Sequence, residues 1–230
     1  MRVAIINFSG NVGKSTIAKH LLAPRLDAEL LAVETINSSD GADQTFRGIE
    51  FGDLSEHLLL TENAVVDVGV SNVEAFTKEM RKFRGSHDDF EFFVVPVVKD
   101  IKQQKDSMAT IEALHAIGVP AKKIRVIFNR LESDESVDQV FYPIANFHEA
   151  SKAFTLKPEW VIHENEIYNR LKTLNKSLSD VVNDQADYKK ALAEAKTQEE
   201  KEHAVHMIMA KRLATAAHEN LDSVFKTLFK

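Results

Sequence analysis

The chain has 230 residues, 29 Lys+Arg against 35 Asp+Glu, a formal net charge of −6 and no cysteine. The missing cysteines exclude disulfides, thiolate metal centres and thiol nucleophiles. The acidic balance argues against indiscriminate nucleic-acid binding while leaving a local basic patch open. A chain of this length buries roughly 70–75% of its unfolded surface without covalent staples. No apolar run reaches the ~18–20 residues of a membrane span, and the opening Met1–Asn7 turns polar too early for a secretory leader. A soluble cytoplasmic protein is the expectation.

In chain order, β-rich runs at 2–7, 30–34, 64–68, 91–98, 124–129 and 160–163 alternate with helical patterns, as in a parallel sheet built from βαβ units. Val65-Val66 and Phe92-Phe93-Val94-Val95 are apolar at consecutive positions, as expected of strands covered on both faces. The first helix is expected at 15–22, stopped by Pro24. Val73, Phe76, Met80 and Phe83 mark a second helix with Asn72 as its N-cap. Met108, Ile111 and Leu114 mark another behind Ser107, ending at Gly118-Val119-Pro120. Residues 134–150 are interrupted by Pro143, and 166–174 read as a helix. Residues 185–230 contain neither Gly nor Pro. There Thr197-Gln198-Glu199-Glu200 forms a capping box between a short helix and a longer one. The fold class is α/β, a doubly wound, mainly parallel sheet. It comprises a nucleotide-binding domain over 1–184 and a helical C-terminal extension over 185–230 packed on it.

The chemistry concentrates in Phe8-Ser9-Gly10-Asn11-Val12-Gly13-Lys14-Ser15-Thr16, between the first strand and the first helix. Backbone N–H groups and a helix N-terminus there form an anion cradle, Lys14 reaches β/γ-phosphates and Ser15 holds Mg²⁺. Gly13 lets the chain turn tightly beside a phosphate. The common phosphate-loop pattern has another glycine where Phe8 stands. Ala64-Val65-Val66-Asp67 is an apolar strand ending in a carboxylate that would orient Mg²⁺, with Gly69 offering a backbone N–H to the γ-phosphate. Val70-Ser71-Asn72 would then sense that phosphate.

Gly10-Asn11-Val12-Gly13-Lys14-Ser15-Thr16 resembles the deviant Walker A loop of the ParA/MinD ATPases, and the opening through Thr16 is closest to the StbB plasmid-stability proteins. Ser9 stands where that group has the lysine that reaches a partner's nucleotide across an ATP-sandwich dimer, and Asn11 replaces its second glycine. The resemblance implies ATP/ADP and Mg²⁺ as cofactors and a nucleotide-dependent homodimer. It also implies a carboxylate after the second strand that positions water. Glu34, Asp40 and Asp43 are available, with Asp40 the first choice and Lys14 its catalytic companion. It assigns Asn129 and Arg130 to the adenine, ATP being preferred to GTP because Glu132 is one methylene too long for a guanine contact, and residues 161–166 to the base pocket.

The implied activity is a weak ATP hydrolase acting as a switch in plasmid stability, partition or DNA positioning, in a bacterial cytoplasm. A plasmid DNA-binding adaptor is its expected partner, with DNA contact indirect or weak. Alternatives are a nucleotide-binding adaptor with little turnover, or a small-molecule kinase or ligase. The latter needs a basic cluster near the loop, and the sequence offers none beyond Lys14. The amphipathic end (Leu221, Val224, Phe225, Leu228 and Phe229) packs on the sheet or a partner helix, or anchors to membrane; its near-neutral charge favours packing.

Overall fold

Strand β1 (Arg2–Ile5) pairs in parallel with β4 (Ala64–Val68) on one side and β5 (Phe92–Val97) on the other, which sets Ile5 beside both Asp67 and Val94. The computed structural model, which describes residues 1–35 and 41–230, builds from this centre a seven-stranded, wholly parallel sheet.

After β1 come α1 (Lys14–Ile17), a π-helical turn (Ala18–Leu22) and α2 (Ala23–Leu26). They are followed by β2 (Glu29–Val33), β3 (Gln44–Phe46), α3 (Phe51–Leu60), β4 and α4 (Val73–Lys82). Then come β5, α5 (Ile101–Ile117), β6 (Ile124–Leu131), α6 (Val137–Val140), α7 (Tyr142–Ser151) and β7 (Val161–His163). Four helices close the described chain: α8 (Ile167–Leu174), α9 (Leu178–Asn183), α10 (Tyr188–Glu194) and α11 (Gln198–Leu228). The strand order is β3-β2-β4-β1-β5-β6-β7. The chain leaves β1 toward β2 and leaves β5 toward β6, in opposite directions. The crevice at their carboxyl ends is the switch point where such sheets bind ligands.

Two apolar cores cover the two faces. Ala4, Val66 and Val95 pack with Phe51, Phe76, Ile111 and Ile144 on the side of α3, α4, α5 and α7. Val3, Ile5, Val65 and Val94 pack on the other face with Leu21, Trp160, Leu171 and the α11 stripe Ala210, Ala214, Leu221, Val224 and Leu228. Because side chains alternate across a strand, Asp67 shares the α1 face with Val65, and Glu34 continues the line of Leu30 and Ala32. The amphipathic end of α11 is thus spent on the second core, with Phe229 against Phe92 at 4.8 Å. Trp160 is fully buried and donates from Nε1 to Thr227 Oγ1 at 3.1 Å. Among the described residues, no helix is long and apolar enough to cross a membrane.

Several expected elements differ. Pro24 does not stop the first helix: the π turn before it displaces the i−4 carbonyl geometry that a proline ring would strike, and helical backbone continues to Leu26. Pro143 starts α7 in its first turn instead of breaking a longer helix. Ser107 is buried within α5, whose cap is Asp100, accepting from Gln103 N at 3.0 Å. Asn72 occupies the N-cap of α4 without a side-chain capping bond. The capping box of Thr197 and Glu200 forms as expected.

Candidate functional site

Residues 8–16 cross the carboxyl end of β1 and enter α1. Asn11 and Gly13 both take left-handed backbone (φ 57° and 91°), which folds the loop back on itself. A Cβ on Gly13 would land on the Asn129 side-chain amide. Glycine is required here for conformation and for space together.

The loop is braced from beneath by polar groups of α5 that carry no motif. Asn7 Nδ2 donates to Pro96 O at 2.8 Å and to Ser107 Oγ at 2.7 Å, Phe8 N donates to Thr110 Oγ1 at 2.9 Å, and Gln103 Nε2 donates to Gly10 O at 2.8 Å. Sequence reading missed this set because its members lie about 90–100 residues from the loop. Only the polar face of α5 (Gln103, Ser107 and Thr110, at helical spacing) could have signalled it.

Lys14 is buried, and its ammonium donates to Ser9 O at 2.9 Å and Asn7 O at 3.3 Å. Burial pushes it below the ordinary lysine range, with the Asp67 and Glu34 carboxylates pulling the other way. Asp67 is also buried. Burial pushes its carboxyl up, opposed by a Ser15 hydroxyl hydrogen bond and the Lys14 charge, while Glu34 adds to the rise. Asp67 Oδ1 has no hydrogen-bond partner. A buried, unpaired carboxylate oxygen beside a serine hydroxyl fits a hard divalent cation of the Mg²⁺ kind, which takes oxygen ligands. Ser15 and Asp67 are the residues that would hold it.

Asp40 lies outside the described residues. Asp43 turns away from the loop to brace β2, accepting from Leu30 N at 2.7 Å. Of the two described candidates, Glu34 and Asp43, Glu34 is the one that reaches the site. A Cβ on Gly69 would stand 2.5 Å from both its oxygens. The Gly69 N–H, expected to face a phosphate, donates instead to Val33 O at 2.9 Å as a continuation of the β2–β4 pairing.

Asn72 spends its side chain between the segments that follow β2 and β4. Its Oδ1 accepts from Gly48 N at 3.0 Å, and its Nδ2 donates to Thr35 Oγ1 at 3.0 Å and Ser71 Oγ at 3.2 Å. A Cβ on Gly48 would overlap this amide.

Asn129 Nδ2 donates to Val12 O at 2.8 Å, so this amide holds the loop of residues 8–16. A register shift between Asn129 and Leu131 places Arg130 in left-handed backbone (φ 59°). The Arg130 guanidinium meets Asn11 Oδ1 at 3.3 Å and Glu164 at 4.0 Å. Asn11, Thr16, Asn129, Arg130 and Asn165 line a cavity of about 290 Å³, which includes part of the expected base pocket. A second cavity of about 550 Å³ adjoins it through Thr16, Tyr168 and Lys172 and reaches Ser15, Glu34 and Asp67. Its lining also includes Lys19, Lys172 and Lys176, a basic set near the loop that sequence reading did not find. Among the described residues no group of His, Asp and Glu is arranged as a metal cluster.

No protein-family model and no curated protein sequence matches the chain. Solved structures do. Apo McdA from Cyanothece is 14% identical, with 91% of this chain and 98% of that one covered at a TM-score of 0.53. The septum site-determining protein MinD from Pyrococcus horikoshii, complexed with Mg-ADP, is 13% identical over 95% and 98% at 0.50. ParA of pNOB8 is 10% identical over 98% of both chains at 0.52. At these identities the likeness establishes the fold, and the chain has the fold of the ParA/MinD ATPases.

Proposed function

We propose that this chain is a ParA/MinD-like ATPase that binds ATP/ADP with Mg²⁺ and acts as a nucleotide-dependent switch in plasmid stability, partition or DNA positioning. On this reading the loop is the deviant Walker A form, and its sequence resembles that of the StbB plasmid-stability proteins. The observation that carries the reading is the coincidence of three features at the ends of β1 and β4. These are a left-handed Gly13, a buried Lys14, and a buried Asp67 carboxylate that lines the same cavity as Ser15 with one oxygen unpaired. A triphosphate laid on residues 10–16 would draw Lys14 away from Ser9 O and Asn7 O, and a cation would satisfy Asp67 Oδ1. Asn129 and Arg130 would then flank the base. Glu34 is the carboxylate best positioned among the described residues to orient water, with Asp40 the other proposed candidate.

The Asn72 bridge supplies the switch element: it ties the segment after β4 to Thr35 and Gly48, so a ligand that moves one moves the other. A second copy and a plasmid DNA-binding adaptor are the proposed partners, in a bacterial cytoplasm, with residues 1–184 as the nucleotide domain and 185–230 as its extension. Ser9 favours one alternative, a monomeric adaptor with little turnover, because its short side chain is buried and its carbonyl already accepts from Lys14.

The test is solution mass and nucleotide affinity with ADP and with a non-hydrolysable ATP analogue. The variants are wild type, Lys14→Ala and Asp67→Asn. Lys14→Ala should abolish binding, Asp67→Asn should abolish its Mg²⁺ dependence, and the ATP analogue alone should double the mass. Unchanged mass with nucleotide bound would eliminate the dimeric switch in favour of the adaptor. Binding that survives Lys14→Ala would eliminate both.

A further inference from the structure

The lining of the larger cavity contains two sets of side chains of opposite charge, called here its inner and outer ends. Ser15, Glu34 and Asp67 form the inner end, which the nucleotide reading uses. The outer end gathers Lys19 from the π turn, Lys172 from α8 and Lys176 from the turn after it. Asn175, in left-handed backbone at the end of α8 (φ 49°), reverses the chain just before Lys176. Lys176 lies 3.5 Å from Asp184, whereas Lys19 and Lys172 have no carboxylate partner among the described residues. The Lys19 ammonium hangs over Gly41, where a Cβ would stand 2.9 Å from it. His20 and Tyr168 line the cavity with their rings 5.7 Å apart. Burial, then the charges of Lys19 and Arg25, hold His20 down to about 4, so near neutral pH the local charge comes from the lysines.

Three ammonium groups around one concavity repel one another, and among the described residues two of them have no ion-pair partner, the carboxylates of the same lining being Glu34 and Asp67. A nucleotide that enters by Arg130 and Asn129 and ends its phosphates at Lys14 and Ser15 leaves Lys19 and Lys176 uncovered, while Lys172 stands where the two cavities meet. The whole cavity, nucleotide part included, has a volume of about 550 Å³, within the range of small-molecule sites. We propose that the outer end of this cavity binds a small molecule bearing a carboxylate or phosphate, distinct from the nucleotide, through Lys19, Lys172 and Lys176. The proposal goes beyond the switch reading and does not require that nucleotide be hydrolysed.

Calorimetric titration with citrate and, separately, with inorganic phosphate tests it, on wild type, Lys19→Gln/Lys176→Gln, Lys19→Arg/Lys176→Arg and Lys14→Ala. The two anions distinguish a carboxylate ligand from a phosphate ligand. At least one should bind wild type and weaken about tenfold or more in the glutamine pair, which loses charge-assisted contacts. That anion should persist in the arginine pair and in Lys14→Ala. ADP titration, run in parallel, should follow Lys14 alone, so failure of the nucleotide reading is separately visible. Anion binding that follows Lys14 and ignores the glutamine pair would place the anion on the phosphate loop and overturn the proposal. So would equal affinity in the glutamine and arginine pairs, or no heat from either anion.

Discussion

Gly13→Ala separates the two demands made on that residue. Alanine at φ 91° pays the left-handed penalty of roughly 1–2 kcal/mol. Its Cβ would also overlap the Asn129 amide, which must swing away and break its bond to Val12 O, adding about 1 kcal/mol. Gly85 is the internal control: its φ is 90°, and a Cβ there meets nothing within 4 Å, so Gly85→Ala carries the conformational cost alone. Gly13→Ala should therefore cost about 2–3 kcal/mol against about 1–2 for Gly85→Ala. In a domain of this size the first value corresponds to a Tm drop of roughly 4–12 °C. Urea unfolding of both variants, and of Gly13→Ala/Asn129→Ala, measures it. The double variant should cost less than the sum of its singles, because removing the amide removes the collision. If Gly13→Ala costs no more than Gly85→Ala, or the cycle is additive, the close packing of Asn129 on the loop is refuted.

Other perturbations give equally direct readings. His20 is neutral in the fold down to about pH 4, against 6.5 when unfolded. Its contribution is complete above the unfolded value and falls away as the pH drops through that window, reaching about 2 kcal/mol lost by pH 5. His20→Gln should flatten that slope, and an imidazole titrating near 6.5 by NMR would contradict it. Asn72→Ala should leave α4 intact, since no side-chain cap is lost, yet expose the Gly48 N–H. A destabilisation of about 1–3 kcal/mol and faster Gly48 amide exchange are expected, whereas unchanged exchange would mean the bridge does not restrain that segment. Trp160→Phe removes the donor to Thr227 and should loosen α11 by about 1 kcal/mol, read as earlier protease cleavage between 198 and 228.

The central strands were legible because burial on both faces forces apolar residues at successive positions. The tight turn at Gly13 between the first strand and the first helix was legible because its glycine pattern is local. Strand β3 escaped notice: it is three residues long, largely exposed and at the sheet edge, so no hydrophobic pattern marks it. Helix α3 hides behind Gly52, which lowers helix propensity but packs beneath Phe83. Asn72 was legible as the N-cap position of α4, but not the use of its side chain, which bonds to Gly48 and Thr35 instead of capping. Ser107 lies inside α5 with its hydroxyl accepting from Asn7, a partner distant in sequence that propensity cannot see. The lysine-lined cavity was invisible on the same ground, since positions 19 and 172–176 meet only after the sheet is built.

The long helix α11 has a consequence for the order in which this molecule is made. Its stripe covers the same face of β1 and β5 that α1 touches, so the α1 face of the first strands stays partly bare until residues 198–228 have left the ribosome. The opposite face, closed by α3, α4, α5 and α7, can assemble earlier. A chain cut before residue 198 should thus hold a half-covered sheet with Trp160 exposed, the natural client of a chaperone that grips apolar surface, and restoring residues 198–228 would end that dependence.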